Sequence, residues 1–135
     1  MKNRIVFIVF FLSFISFLSY SQKQQSDREA SMARGKEIYI SQCMSCHMED
    51  GKGIEDVYPP LAKSDYLMAD KGRSIDNVIN GLSGEIVVNG KTYNMDMTAF
   101  DLSDQEVSDV LNYIRNSWGN KGEIVSPDEV RQRRN

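Results

Sequence analysis

The sequence predicts a mainly α fold: a small helical domain carrying one short β-hairpin. Three observations lead there. A chain of 135 residues is enough for one small domain and no more. Val107, Val110, Leu111, Ile114 and Trp118 recur at helical spacing behind Ser103 and Glu106, which form a capping-box pair. Asn89-Gly90, the dipeptide best suited to a type I′ turn, lies between Ile86-Val87-Val88 and Thr92-Tyr93, so a hairpin is expected over 85–95.

Taken in chain order, residues 1–21 read as a secretory signal peptide. Lys2 and Arg4 precede the apolar run Ile5 to Leu18, and Ser19-Tyr20-Ser21 offers small residues at alternate positions. The rival is an uncleaved membrane anchor, for which the run is short against the ~20 apolar residues a bilayer span needs. Neither Cys lies near the junction, which excludes a lipid anchor on Cys. Residues 22–28 read as a flexible tether. A helix follows from Ala30 to about Cys43 on the stripe Met32, Ile38 and Tyr39. Gly51, Gly53 and Pro59-Pro60 make 44–61 a loop. Short helices are expected over Asp65–Ala69 and Ser74–Asn80, the second capped by Ser74 with Ile75, Val78 and Ile79 inwards. The last helix runs to Trp118, with Gly119 as its C′ residue. The charged tail, 120–135, reads as a solvated end, although Ser126-Pro127 could start one more turn. The folded domain is therefore expected over 29–119.

Charge narrows the partners. Sixteen basic against 19 acidic residues leave a net charge of −3. Loss of Lys2 and Arg4 with the signal makes it more acidic. That argues against nucleic acid and anionic membrane as partners, and permits steering toward a basic patch on a partner protein.

The chemistry sits in Cys43-Met44-Ser45-Cys46-His47, the c-type haem attachment sequence. Two thiols three residues apart can each add to a vinyl group on one edge of the macrocycle, and the next residue places an imidazole under the iron. A thioredoxin-like pair would want a βαβ context, and zinc would need two more ligands. A plain disulfide would leave His47 unexplained and would close too short a loop to restrain the chain. His47 is the only histidine, so the sixth iron position falls to Met, another donor, water or nothing. Among seven Met, the candidates by position are Met68, Met95 and Met97; for any one of them core filling is the alternative.

These residues resemble a class I cytochrome c over about 32–119. Gly35 and Tyr39 resemble the family's first helix, which packs on the last through residues here matched by Leu111, Tyr113 and Ile114. Tyr58-Pro59-Pro60-Leu61 is similar to the loop whose proline carbonyl accepts the proximal His N–H, a role the resemblance assigns to Pro60. Aligned on Phe100, the family's distal Met-Pro-X-Phe pattern assigns the sixth ligand to Met97, with Thr98 where the family usually has Pro. The resemblance implies one covalent haem c held by Cys43, Cys46, His47 and Met97, in a pocket lined by Tyr39, Leu61, Ile79 and Phe100. It implies a periplasmic or otherwise extracytoplasmic one-electron carrier, not an enzyme. Residues 112–120 are similar to cytochrome domains serving copper nitrite reductases and terminal oxidases, which implies an oxidase, a reductase or another cytochrome as partner. Two other classes remain: a subunit held permanently by an oxidoreductase or membrane, and a gas sensor or haem enzyme with an open sixth site.

Overall fold

The computed structural model describes residues 2–134, with side chains described from Tyr20 onward. The expected signal segment therefore lies largely outside the described side chains. Among the described residues, no helix is long and apolar enough to cross a membrane. Residues 1–30 and 31–135 form two compact units.

Helix α1 spans Lys2–Ile38 and supplies the whole described part of the first unit. It corrects two expectations, a tether over 22–28 and a helix beginning at Ala30. The tether residues contain no Gly or Pro, and Gln, Lys and Arg are good helix formers. Gln25 Nε2 also donates to Glu29 at 2.7 Å, an i,i+4 pair.

In the second unit, a π-helical stretch, Tyr39–Cys43, leads into α2, Met44–His47. Helix α3 is Asp65–Ala69, as the sequence predicts. Helix α4 covers Lys71–Asn80 and starts earlier than expected, because Asp70 caps it by accepting from Arg73 N. Ser74 lies inside that helix and turns its hydroxyl to the carbonyls of Leu67 and Asp70. Strands β1, Ile86–Val88, and β2, Lys91–Tyr93, pair antiparallel with Ile86 opposite Tyr93. Asn89 and Gly90 both adopt positive φ, 51° and 78°, as a type I′ turn requires.

Helix α5, Asp104–Ile114, carries the predicted capping box of Ser103 and Glu106 but stops before Trp118. Its end is closed by Asn120, whose Nδ2 donates to Ile114 O at 2.9 Å. This helix faces two cores. Val107 and Leu111 join Ile75, Val78 and Ile79 of α4, whereas Val110 and Ile114 join Tyr39 and Leu67. Residue 35 has to be Gly for the end of α1 to cross α5 this closely: a Cβ there would stand 1.9 Å from Asp109 O. Tyr39, Tyr113 and Trp118 then form an aromatic trio with ring centroids 5.0 to 5.5 Å apart, two pairs tilted and Tyr113–Trp118 edge-to-face.

The charged tail is not a solvated end, and the packed unit does not stop at 119. Helix α6, Pro127–Arg133, has its own capping box from Ser126 and Glu129, and packs on α5 and α4. Val125 and Val130 are 1% and 0% exposed. Asn112 draws the segment in, donating from Nδ2 to Val125 O at 3.0 Å and accepting Val125 N–H at Oδ1 at 2.7 Å. Ser108 Oγ also donates to Val125 O. One valine in so short a helix, with Val125 just before it, is too little for a periodic signal.

Candidate functional site

The π-helical stretch, α2 and the loop after it build one wall of an apolar cleft of about 750 Å³, counted to its open mouth. Cys43, His47, Pro59, Pro60 and Leu61 line this wall, and Met97 and Phe100 line the cleft from a later loop. Cys46, half-buried, stands beside the lining residues.

His47 is held by the chain around it. Gly53 N donates to His47 O at 3.0 Å, and Leu61 N and Ala62 N both donate to Gly51 O at 2.8 Å, which folds the proline loop back onto the helix end. The backbone reverses at Met48, with φ of 61°, and the buried Tyr39 hydroxyl donates to Met48 O at 2.6 Å. His47 Nδ1 lies 3.0 Å from Pro59 O. A carbonyl only accepts, so Nδ1 carries the proton and Nε2 keeps its lone pair. Burial lowers the His47 pKa against the opposing pull of that carbonyl, which favours the neutral ligand form. Burial, with Cys46 nearby, pushes the Cys43 thiol up to about 11.

The expected role of Pro60 is corrected here. The carbonyl facing His47 is that of Pro59, while Pro60 lines the cleft. Both dipeptide positions read alike in sequence, and only the fold-back onto Gly51 selects between them.

Met97 is placed by backbone. Its N–H and C=O exchange hydrogen bonds with Leu82 at 2.8 and 2.9 Å, and Phe100 N donates to Val78 O. Gly81 makes this possible, with φ of 76° and ψ of −173°. A Cβ there would stand 2.5 Å from Met97 O. Met95, by contrast, is 51% exposed, and Met68 packs on the core around Tyr39. Of the pocket residues expected, Leu61 and Phe100 line the cleft, while Tyr39 and Ile79 lie behind it in the two cores.

Pro59, Gly81 and Leu82 are the residues that sequence reasoning missed. Gly directly after an α-helix was the available signal for Gly81; nothing local marks Leu82.

The donor set fits haem c. The Cys43 thiol and the His47 imidazole border a cleft that is apolar and open at one side, with the Cys46 thiol next in sequence to His47, as a planar macrocycle with a solvent edge requires. Comparison with known proteins agrees. The family model described as cytochrome c matches residues 32–118. Cytochrome c-552 of Thermus thermophilus is 38% identical over 99 residues, covering 70% of this chain and 66% of its own. The cytochrome c subunit of a quinone alcohol dehydrogenase from Gluconobacter oxydans is 36% identical over 105 residues, 74% of this chain. The gluconate 2-dehydrogenase cytochrome c subunit of Pantoea cypripedii is 34% identical over 102 residues. The chain spans 22% of the length of each of these two dehydrogenase subunits. With the attachment sequence, the cleft and a match across most of the second unit, the chain belongs to the cytochrome c family, haem-based electron carriers rather than enzymes.

Proposed function

We propose that this chain is an extracytoplasmic monohaem carrier in which Cys43 and Cys46 would attach the haem, and His47 and Met97 would ligate its iron. When bound, the haem supplies a reversible one-electron couple. The protein's part is to hold both ligands still. Pro59 fixes the ring and tautomer of His47 from behind. The Leu82–Met97 pairing holds the Met97 backbone in the loop that lines the cleft. With His47 and Met97 both serving as ligands, the chain would leave no open position for substrate or gas, and its ligand set would not need to change with oxidation state. Apolar lining favours the less charged reduced form.

The observation that carries this reading is the placement of Met97 in the cleft lining together with His47. The test is the absorption spectrum of the oxidised, haem-loaded protein beside that of Met97→Ala. A weak far-red sulfur-to-iron band in the parent, lost in the variant, is the expected result. A high-spin parent would overturn it.

The signal-like residues 1–21 support export to the periplasm or its equivalent. The names of the relatives support a dehydrogenase as electron donor, where the likeness over 112–120 suggests a reductase or oxidase as acceptor. A carrier between two such enzymes accommodates both.

A further inference from the structure

Beside the cleft wall lies a buried guanidinium that makes no ion pair among the described residues. Arg115 follows α5 and is 4% exposed. Its Nη1 donates to Leu67 O at 2.7 Å and lies 3.4 Å from Ser74 Oγ. Leu67 and Ser74 both line the cleft, so the guanidinium bonds directly to two residues of the cleft wall. On its other side the tail covers it: Gly122 N donates to Arg115 O, and a Cβ at Gly122 would stand 3.2 Å from Nε. Nε has no partner among the described residues.

The acids whose charges reach it are engaged elsewhere. Asp70 caps α4, and Glu123, on an exposed side chain, faces Lys71 at 3.7 Å. Among the described residues Arg115 makes no ion pair of its own, while Lys71 pairs with both Glu123 and Glu129. An unpaired buried cation is costly, and an apolar residue of similar size would pack the same space without that cost. A fixed positive charge in a low-dielectric wall favours whichever state of the neighbouring group carries less positive charge.

We infer that Arg115 is an electrostatic positioning residue for the redox reaction, raising the reduction potential of the haem through the Leu67–Ser74 wall. The inference rests on the carrier reading above and deepens it. One electron enters the haem on reduction and no bond of the protein changes.

The experiment is an equilibrium redox titration of the haem-loaded full chain, with the visible spectrum recorded throughout. Arg115→Met and Arg115→Gln both remove the charge, one restoring apolar packing and the other the donor to Leu67 O. Each is expected to shift the equilibrium about tenfold toward the oxidised form, ~59 mV for one electron, with the far-red band retained. Arg115→Lys is expected to restore most of the shift. Arg133→Gln, which removes the same charge from an exposed pair with Asp76, is the control and should leave the midpoint in place. An unchanged midpoint in a folded Arg115→Met or Arg115→Gln protein overturns the inference. So does failure of both to fold, which would make Arg115 a structural residue. A parent lacking the sulfur band would instead sink the carrier reading, so the two failures are separable.

Discussion

Replacing Gly81 by Ala tests whether the Met97 loop is held by close backbone approach. Two costs add. At φ of 76° and ψ of −173°, Gly81 occupies a region essentially reserved for Gly, and an L-residue there costs ~1–3 kcal/mol. The new Cβ would also stand 2.5 Å from Met97 O and 2.9 Å from Ala99 N, both backbone atoms that cannot rotate aside. Overlap of that kind costs a further ~1–3 kcal/mol. The expected loss is therefore about 4 kcal/mol, or more than ~10 °C in Tm for a domain this small. Gly84 supplies the control. It too has positive φ, 89°, but a Cβ there meets nothing within 4 Å, so Gly84→Ala should cost only ~1–2 kcal/mol. Thermal unfolding of the oxidised haem-loaded proteins gives the energies, and the far-red band reports whether Met97 stays in place. Gly81→Ala should weaken that band and Gly84→Ala should spare it. Equal stability losses with the band intact in both would refute the argument.

Two further outcomes are expected. Val130→Ala should cost about 2 kcal/mol in urea unfolding, since the side chain is 0% exposed; a loss under ~0.5 kcal/mol would mean the tail does not pack. The second concerns acid. The Ser103 hydroxyl and backbone amide hold the Glu106 carboxyl below its ordinary value of 4.5. Its folded pKa is thus below the unfolded one, so its stabilising contribution is present above pH 4.5 and fades as pH falls through the folded value. Glu106→Gln should flatten the stability profile in that window, and an unaltered acid limb measured by circular dichroism would contradict the capping role.

Sequence carried the site's chemistry further than its geometry. The attachment motif and the capping box at Ser103 are local patterns, in which neighbouring residues do the physical work, and they could be read directly. The hairpin around Asn89-Gly90 was legible because positive φ at two adjacent positions demands such residues. Whether Pro59 or Pro60 faces His47 depends on Gly51 accepting from Leu61 and Ala62, a contact ten and eleven residues away along the chain. The tail was misread for a similar reason. What draws it in is not an apolar stripe on α6 but polar groups on α5, Ser108 and Asn112, whose partners in the tail are backbone atoms of Val125 and leave no mark on sequence. The stop of α5 before Trp118 likewise depends on Asn120 taking the carbonyl of Ile114.

The Asn112 contact has a consequence for how the tail finds its place. One amide reads both the N–H and the C=O of Val125, as a neighbouring strand would, although no strand is there. A helix side chain thus acts as a one-residue template for register. Sliding the tail by a single position would turn Val125 out of the core and strand the amide's donor and acceptor, with each buried unpaired group costing ~1–3 kcal/mol. The segment therefore has one docked alignment separated by a wide energy gap from its neighbours.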